Sequence, residues 1–470
     1  MFISQLLTAT YLLKKDYRLR GWTDYWICLE HFPTRDLTEL TAREGHFLMK
    51  CNRVREIDEE AFAPEISRFL EKGAIEKTAG GQILPEQAYR LYENRRFRSL
   101  NLSVTGSCDF RCRHCFNAAD DSPRGVTPKT EAIIDLIRRM DECGVAKLGI
   151  TGGEPLLHPG LLRITQEIKD RGMILETMNT NLYHMSPEFP DALHAQGHDP
   201  EIYTSFDGVG AHDWLRRAPG SEERTIQQIR LMKKKGFRIH VHTCVWKDSM
   251  QTVKATALKM QELNVDEFRI TAVEPSVRWM GDSPDQLIPF GEWLAFMTDF
   301  LDWWYANRIR MDLDIWGYWY HSFGSGSARI KTVLSLDPAS RYRVPFCPDA
   351  YQRPYIDCDG KIMTCLGMSG LSKAFGYDWG NVYTDDLHHI FRDGELMKLF
   401  RLSVGEMKDR SPDCRECEWK KLCNYGCRAE ACAQGNGIEG IDQRICIFFK
   451  DGYYDRFRAI AKKYGLEIET

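Results

Sequence analysis

The chain has 470 residues, of which 28% are charged, with a formal net charge of −4. That length predicts two to three domains with large cores, and the near-balanced charge argues against a general nucleic-acid or anionic-membrane surface. Sixteen cysteines without an export signal point to a reducing cytoplasm and metal binding; the apolar opening at residues 1–7 is too short for a signal peptide, and no run approaches the roughly 18 apolar residues of a membrane helix.

Residues 1–97 have their own texture. Aromatics within 22–32 read as strand, and Thr41 with Glu44 forms a capping-box signature opening a helix that carries Phe47, Leu48 and Cys51. A second helix is predicted over 62–72, with Ile66, Phe69 and Leu70 on one face and Gly73 as its stop. Residues 74–77, the Gly80-Gly81 turn and Ile83-Leu84 predict a small hairpin. Helices followed by a two-stranded wing describe a winged helix. The segment is similar to the leader-peptide recognition domains of peptide-modifying enzymes, which capture an extended peptide at a sheet edge beside a helix. A plain cap closing the next domain is an equal alternative. Glu65, Arg68, Glu71 and Lys72 do not make a basic face, which argues against DNA binding.

After the apolar run 100–104 come Cys108, Cys112 and Cys115, spaced C-x3-C-x2-C. Three thiolates on one short loop can hold three corners of a four-iron cluster, the fourth iron being left for another ligand. Cys112 and Cys115 are too close to bridge comfortably, and a row of exposed thiols is an oxidation liability. The spacing resembles the signature of radical S-adenosylmethionine enzymes. In that family the open iron chelates the amino and carboxylate groups of the cofactor, whose carbon–sulfur bond is split to give methionine and a 5'-deoxyadenosyl radical. The resemblance extends to Gly152, Gly153, Glu154 and Pro155, 37 residues beyond Cys115 and directly after the strand-like run 147–151. In the family this segment binds the methionine amino group; glycines permit close backbone approach to a ligand, and an acid suits an ammonium.

From 98 to 290 short apolar runs alternate with amphipathic stretches. Strands are predicted at 100–104, 147–151, 173–178, 201–206, 238–246 and 267–273, with helices at 130–143, 161–170, 224–235 and 252–263. Six strands interleaved with helices indicate a parallel α/β sheet, which the resemblance implies is a partial (β/α)6 barrel. Such barrels bind ligands at the carboxyl ends of their strands, so the site candidates are Asn179, Asn181, Ser205, Asp207, His242 and residues 269–274. The family position of Ser205 and Asp207 implies contact with the cofactor ribose or methionine carboxylate, and Asn181 joins the cofactor-binding set. Each could instead cap the following helix. His242 shares a strand face with His240 and reads as packing; no catalytic residue is assigned. The bridging segment 291–345 is rich in aromatics, among them Trp303, Trp304, Trp316 and Trp319, which favours packing over a wall for an extended peptide.

Residues 346–470 carry a second cysteine constellation: Cys347 and Cys365 flanking Gly360, then Cys414, Cys417, Cys423 and Cys427, then Cys446. It matches the SPASM extension, which in relatives holds two further four-iron clusters. A zinc ribbon is the competing metal reading, but four thiolates already saturate a zinc ion. The resemblance implies an outer set of Cys414, Cys417, Cys423 and Cys446 and an inner set of Cys347, Cys365 and Cys427. For the fourth inner ligand, the position six residues after Cys347 holds Arg353. Cys358 falls at the tip of a hairpin turning at Asp359-Gly360, about 13 Å of strand from Cys365. Cys432 lies about 7.5 Å along a helix from Cys427, so Cys432, or an open iron able to bind a substrate thiol, ranks above Cys358. Cys28, Cys51, Cys143 and Cys244 read as small buried apolar residues.

The expectation is therefore an α/β chain with a winged-helix-like domain at 1–97, a partial barrel at 98–290, a bridge at 291–345 and an iron–sulfur SPASM domain at 346–470. Three [4Fe-4S] clusters and S-adenosylmethionine suit hydrogen abstraction from a ribosomally made precursor peptide, then removal of a second electron to give a thioether or carbon–carbon crosslink. The implied partners are that peptide, bound through its leader by residues 1–97, and a flavodoxin- or ferredoxin-type electron donor; no nucleic acid or membrane is implied. A sulfatase-maturing oxidase is the close alternative, weakened because Leu366 stands where those relatives place an acidic proton acceptor. A non-catalytic iron–sulfur electron carrier or redox-sensing regulator explains the cysteines but not Gly152 to Pro155.

Overall fold

A computed structural model describes residues 8–115, 126–334 and 343–469. The apolar opening at 1–7 lies outside them. The N-terminal segment forms strands β1 (Thr8–Leu13), β2 (Tyr17–Gly21), β3 (Cys28–His31) and β4 (Asp36–Glu39), helix α1 (Ala42–Asn52), β5 (Glu56–Asp58), α2 (Ala63–Glu71), β6 (Ile75–Thr78) and β7 (Arg90–Leu91). The capping box forms: Glu44 N donates to the Thr41 hydroxyl at 3.3 Å and Thr41 N donates to Glu44 Oε2 at 2.8 Å. The strands make two sheets, β5-β1-β6 and β4-β3-β2-β7. Phe47, Leu48, Ile57 and Phe69 fill a core separate from the rest of the chain.

The hairpin expected at 74–84 does not form. β6 pairs instead with β1, Leu13 opposite Ile75, while Leu84 leads into a short 3-10 turn. A remote strand offering a full antiparallel ladder wins over a local turn, which the sequence alone could not weigh.

The second body is built on a twelve-stranded sheet. Its parallel centre comprises β8 (Leu100–Ser103), β9 (Lys147–Thr151), β10 (Ile174–Asn179), β11 (Glu201–Ser205), β12 (Ile239–Val245) and β13 (Glu267–Ala272). Helices α3 (Thr130–Glu142), α4 (Leu161–Asp170), α5 (Phe189–Ala195), α6 (His212–Arg216), α7 (Ser221–Lys234) and α8 (Val253–Glu262) connect them. On α3 the buried residues Ile133, Leu136, Ile137 and Met140 repeat at helical spacing, each contributing about 1.5–3 kcal/mol on burial.

Helices α9 (Val277–Asp282) and α10 (Phe290–Ala306) lead to β14 (Asp312–Ile315), parallel to β13, then β15 (Trp319–His321) and β16 (Ser327–Ile330). Trp293, Phe300, Trp304 and Trp319 are buried, whereas Trp316 is 44% exposed at the mouth of the strands. From the C-terminal segment, β17 (Tyr355–Ile356) joins the opposite edge parallel to β8 and pairs with β18 (Ile362–Met363); β19 (Glu467–Ile468) pairs with β16. One continuous core therefore runs from the barrel into the cysteine-rich segment. No helix among the described residues is long and apolar enough to cross a membrane.

Candidate active site and metal centres

The cysteine loop leaves the carboxyl end of β8 and is clamped by the loop that follows β9. Gly153 N donates to Thr105 O at 2.6 Å and Glu154 N to Ser107 O at 2.8 Å. A Cβ on Gly152 would stand 2.5 Å from Thr105 O, and one on Gly153 would stand 2.3 Å from Ser107 O. The glycines thus admit the backbone that carries the cysteines rather than a ligand directly, and the two motifs form one unit.

Cys108 and Cys115 are half-buried and Cys112 is buried, all three as free thiols. Burial pushes the Cys108 and Cys112 thiols up, and neighbouring thiols add to this, Cys112 acting on Cys108 and Cys115 on Cys112. Arg216 works the other way at Cys112, donating from Nη1 to Sγ at 3.7 Å. The loop is pinned from outside as well: Arg113 pairs with Asp282, lies over the Trp214 ring and donates from Nε to Trp214 O at 3.0 Å.

Glu154 is 1% exposed and makes no ion pair among the described residues. Its carboxylate accepts from the Thr180 hydroxyl at 2.7 Å, Asn181 N at 2.6 Å and Leu156 N at 3.0 Å. Burial pushes its pKa up to about 7 against those hydrogen bonds, so its charged form is disfavoured unless a cation stands beside it. Asn181 turns its amide to Asp109, Nδ2 to Oδ1 at 2.8 Å, which joins the end of β10 to the cysteine loop.

Asp207 is gripped by protein groups at the carboxyl end of β11. Arg216 grips both oxygens (Nε to Oδ2 2.5 Å, Nη2 to Oδ1 3.0 Å), His212 Nδ1 lies 3.1 Å from Oδ2, and Cys244 N donates to Oδ1 at 3.1 Å. Its carboxylate is committed to holding Arg216 against Cys112. Ser205 sits opposite His242 in the β11–β12 register and is half-buried. His242 keeps a buried, unpartnered Nε2 and is held near pKa 3 by burial and by Arg269. Its neighbour His240 is stacked on Tyr203 between Glu201 and Glu267. Cys244 packs against the small core of Leu215, Trp246, Val273 and Trp279, and it also stands beside Asp207 and His114, with ligand-type atoms of the three within 4.8 Å of one another. Arg216 and His212, on α6, escaped the sequence reading; their only signal is position, in the first helix after Asp207.

The C-terminal thiols gather in two sets. Burial pushes the Cys347 and Cys427 thiols up, and the neighbouring Cys365 adds to both. Cys414, Cys417, Cys423 and Cys446 line a cavity of about 150 Å3, walled by Trp419 and Phe449. Burial pushes the Cys423 and Cys427 thiols up to about 12. The buried Lys408 ammonium donates to the carbonyls of Lys420 (2.8 Å) and Cys423, bringing positive charge to the outer cavity. Cys432, buried in the helix Arg428–Ala433, feels Cys365 and the Tyr377 hydroxyl. Cys358 is turned toward Ser103 and Asp357 at the tip of the β17–β18 hairpin. These residues fit iron–sulfur clusters: soft ligands in closed sets, a cavity of cubane size, a cation at hand and all sixteen cysteines free.

Comparison with known proteins agrees. The family model of the Radical SAM superfamily matches residues 102–260, and that of the SPASM iron-sulfur cluster-binding domain matches 347–418. The AdoMet-dependent heme synthase of Methanosarcina barkeri is 25% identical over 363 residues, covering 75% of this chain and 96% of that one. The antilisterial bacteriocin subtilosin biosynthesis protein AlbA of Bacillus subtilis is 24% identical over 356 residues, covering 73% and 72%. Among solved structures, Streptococcus suis SuiB bound to precursor peptide SuiA is similar in fold, with a TM-score of 0.64 at 14% identity over 93% of this chain and 99% of that one.

Proposed function

Since the chain is a radical S-adenosylmethionine enzyme with a C-terminal SPASM domain, we propose that it oxidatively modifies a ribosomally made precursor peptide, forming a thioether or carbon–carbon crosslink. When bound, the four-iron cluster and S-adenosylmethionine supply a carbon-centred radical that abstracts hydrogen from an unactivated position. Cys108, Cys112 and Cys115 would hold that cluster, and the clamp at Gly152 and Gly153 fixes their loop. Glu154, with Thr180 and Asn181 orienting its carboxylate, would receive the methionine ammonium. The inner set with Cys432, and the outer set, would hold two auxiliary clusters, making three in all and giving the second electron an exit to a flavodoxin- or ferredoxin-type partner.

The observation that carries the peptide reading is the N-terminal domain. Three-quarters of this chain spans nearly the whole heme synthase, leaving about a quarter without counterpart there. SuiB, whose structure holds a precursor peptide, matches 93% of the chain. In the N-terminal domain β4 is an edge strand paired to β3, and Trp26 is 64% exposed, features suited to leader capture by strand addition. The heme synthase likeness favours a second reading, modification of a tetrapyrrole, which leaves about a quarter of this chain without a role.

The test is anaerobic incubation of reconstituted, reduced protein with S-adenosylmethionine and either a cysteine-containing precursor peptide or an iron-porphyrin. Formation of 5'-deoxyadenosine together with loss of two hydrogens from the peptide supports the proposal. Consumption of the porphyrin with the peptide untouched refutes it.

A further inference from the structure

The two C-terminal thiol sets sit in surroundings of different charge, the inner one the more negative. Beside the inner set the Arg444 guanidinium is ringed by carboxylates: Glu274 at 3.2 Å, Glu430 at 2.7 Å and Asp442 at 3.4 Å. Asp349 adds its negative field at Cys347 and Cys365. The other cation facing Cys427 is Arg428, buried and donating to the carbonyls of Gly440 (2.7 Å) and Ile438 (3.3 Å). The inner site thus meets four carboxylates and two guanidiniums.

The outer cavity is lined by Lys408, Lys420 and Lys450 against Asp413. Asp409, paired with Lys420 at 2.7 Å, is the second carboxylate on that side. Lys408 is the decisive group: it is 1% exposed, and its charge favours the thiolates of Cys414 and Cys423. Asp442 acts on both Cys427 and Cys446, but its Oδ2 accepts from Cys427 N at 3.1 Å, so it weighs first on the inner site.

A fixed positive charge stabilises the more negative, reduced form of a neighbouring redox group, and a fixed negative charge does the reverse. Buried charges are the least screened. We propose that this asymmetry makes the outer site the more oxidising of the two, with Lys408 setting the difference. One electron leaving the inner site is then accepted at the outer site, and from there by a one-electron carrier of the flavodoxin or ferredoxin class; no proton accompanies it. This rests on the reading that both sets hold four-iron clusters.

The experiment is a redox titration followed by electron paramagnetic resonance on reconstituted full-length protein, without substrate. Cys446→Ser identifies the outer signal. The outer midpoint is expected above the inner one. Lys408→Gln should lower the outer midpoint by about 59 mV, a tenfold change for a one-electron couple, with the inner midpoint unmoved. Lys450→Gln, at an exposed position, provides a second variant that should move the same midpoint the same way by less. Full iron content with the outer midpoint below the inner, or with neither variant moving it, overturns this proposal alone. Iron for a single auxiliary cluster overturns the two-cluster reading and this proposal with it.

Discussion

Gly153 lies flush against Ser107, close enough that a methyl group on the glycine would stand 2.3 Å from the Ser107 carbonyl oxygen. The contact joins the β9 loop to the backbone that presents Cys108, Cys112 and Cys115. Gly153→Ala must displace that backbone. The expected outcome is loss of the first cluster, with total iron falling by about a third of a three-cluster load and the auxiliary signals unchanged. A variant with full iron and normal 5'-deoxyadenosine formation contradicts the clamp.

Arg216 and Asp207 form a buried pair whose removal on one side leaves a lone charge. Arg216→Met and Asp207→Asn should each cost about 3–5 kcal/mol, read from the urea midpoints. The double variant should lose less than the sum, because no charge is then stranded. Additive losses mean that the two side chains do not depend on one another.

Glu154 couples stability to pH. Its carboxyl titrates near 7 in the fold, against an ordinary value of 4.5. Between those values the folded chain holds a proton that the unfolded chain has lost, so stability falls as pH rises. The contribution is complete below the unfolded value and gone above about pH 7, and a shift of that size is worth about 3 kcal/mol. The Tm of cofactor-free protein should therefore drop across this window, and Glu154→Gln should flatten the slope. S-adenosylmethionine, bringing an ammonium to the carboxylate, should raise the Tm more above pH 7 than below 5.

Cys432 and Cys358 separate cleanly by environment. Cys432 faces Cys365 and Tyr377, whereas Cys358 faces Ser103 and Asp357. Cys432→Ser should alter the resonance line shape of the inner cluster, and Cys358→Ala should leave iron content and all signals as they were. The reverse pattern would transfer the fourth ligand to Cys358.

Trp26 is exposed, so Trp26→Ala should change stability by no more than about 0.5 kcal/mol while weakening precursor-peptide binding, measured by titration calorimetry. Unchanged peptide affinity would move leader capture away from this face.

The parallel centre of the sheet was legible residue by residue. The runs 147–151 and 161–170 are the strand Lys147–Thr151 and the helix Leu161–Asp170, because apolar period and turn residues are local signals. The N-terminal sheet was not: β1 carries a weaker pattern, and its partner β6 lies more than sixty residues away. The neighbours of Cys244 were hidden for the same reason: it packs on Trp246 and Trp279 on one side and meets Asp207 and His114 on another, and the strand pattern shows neither.

The sequence by itself determined which atoms can bind metal and where the cofactor motif stands, since three thiols within one loop or a glycine pair after a strand are properties of a few consecutive residues. Only the tertiary structure decided what those groups lean on: Arg216 reaches Cys112 across 104 positions of chain, and Glu274 meets Arg444 across 170. Charges and hydrogen bonds act through space over a few ångströms, and chain separation carries no record of which distant residues packing brings within that range.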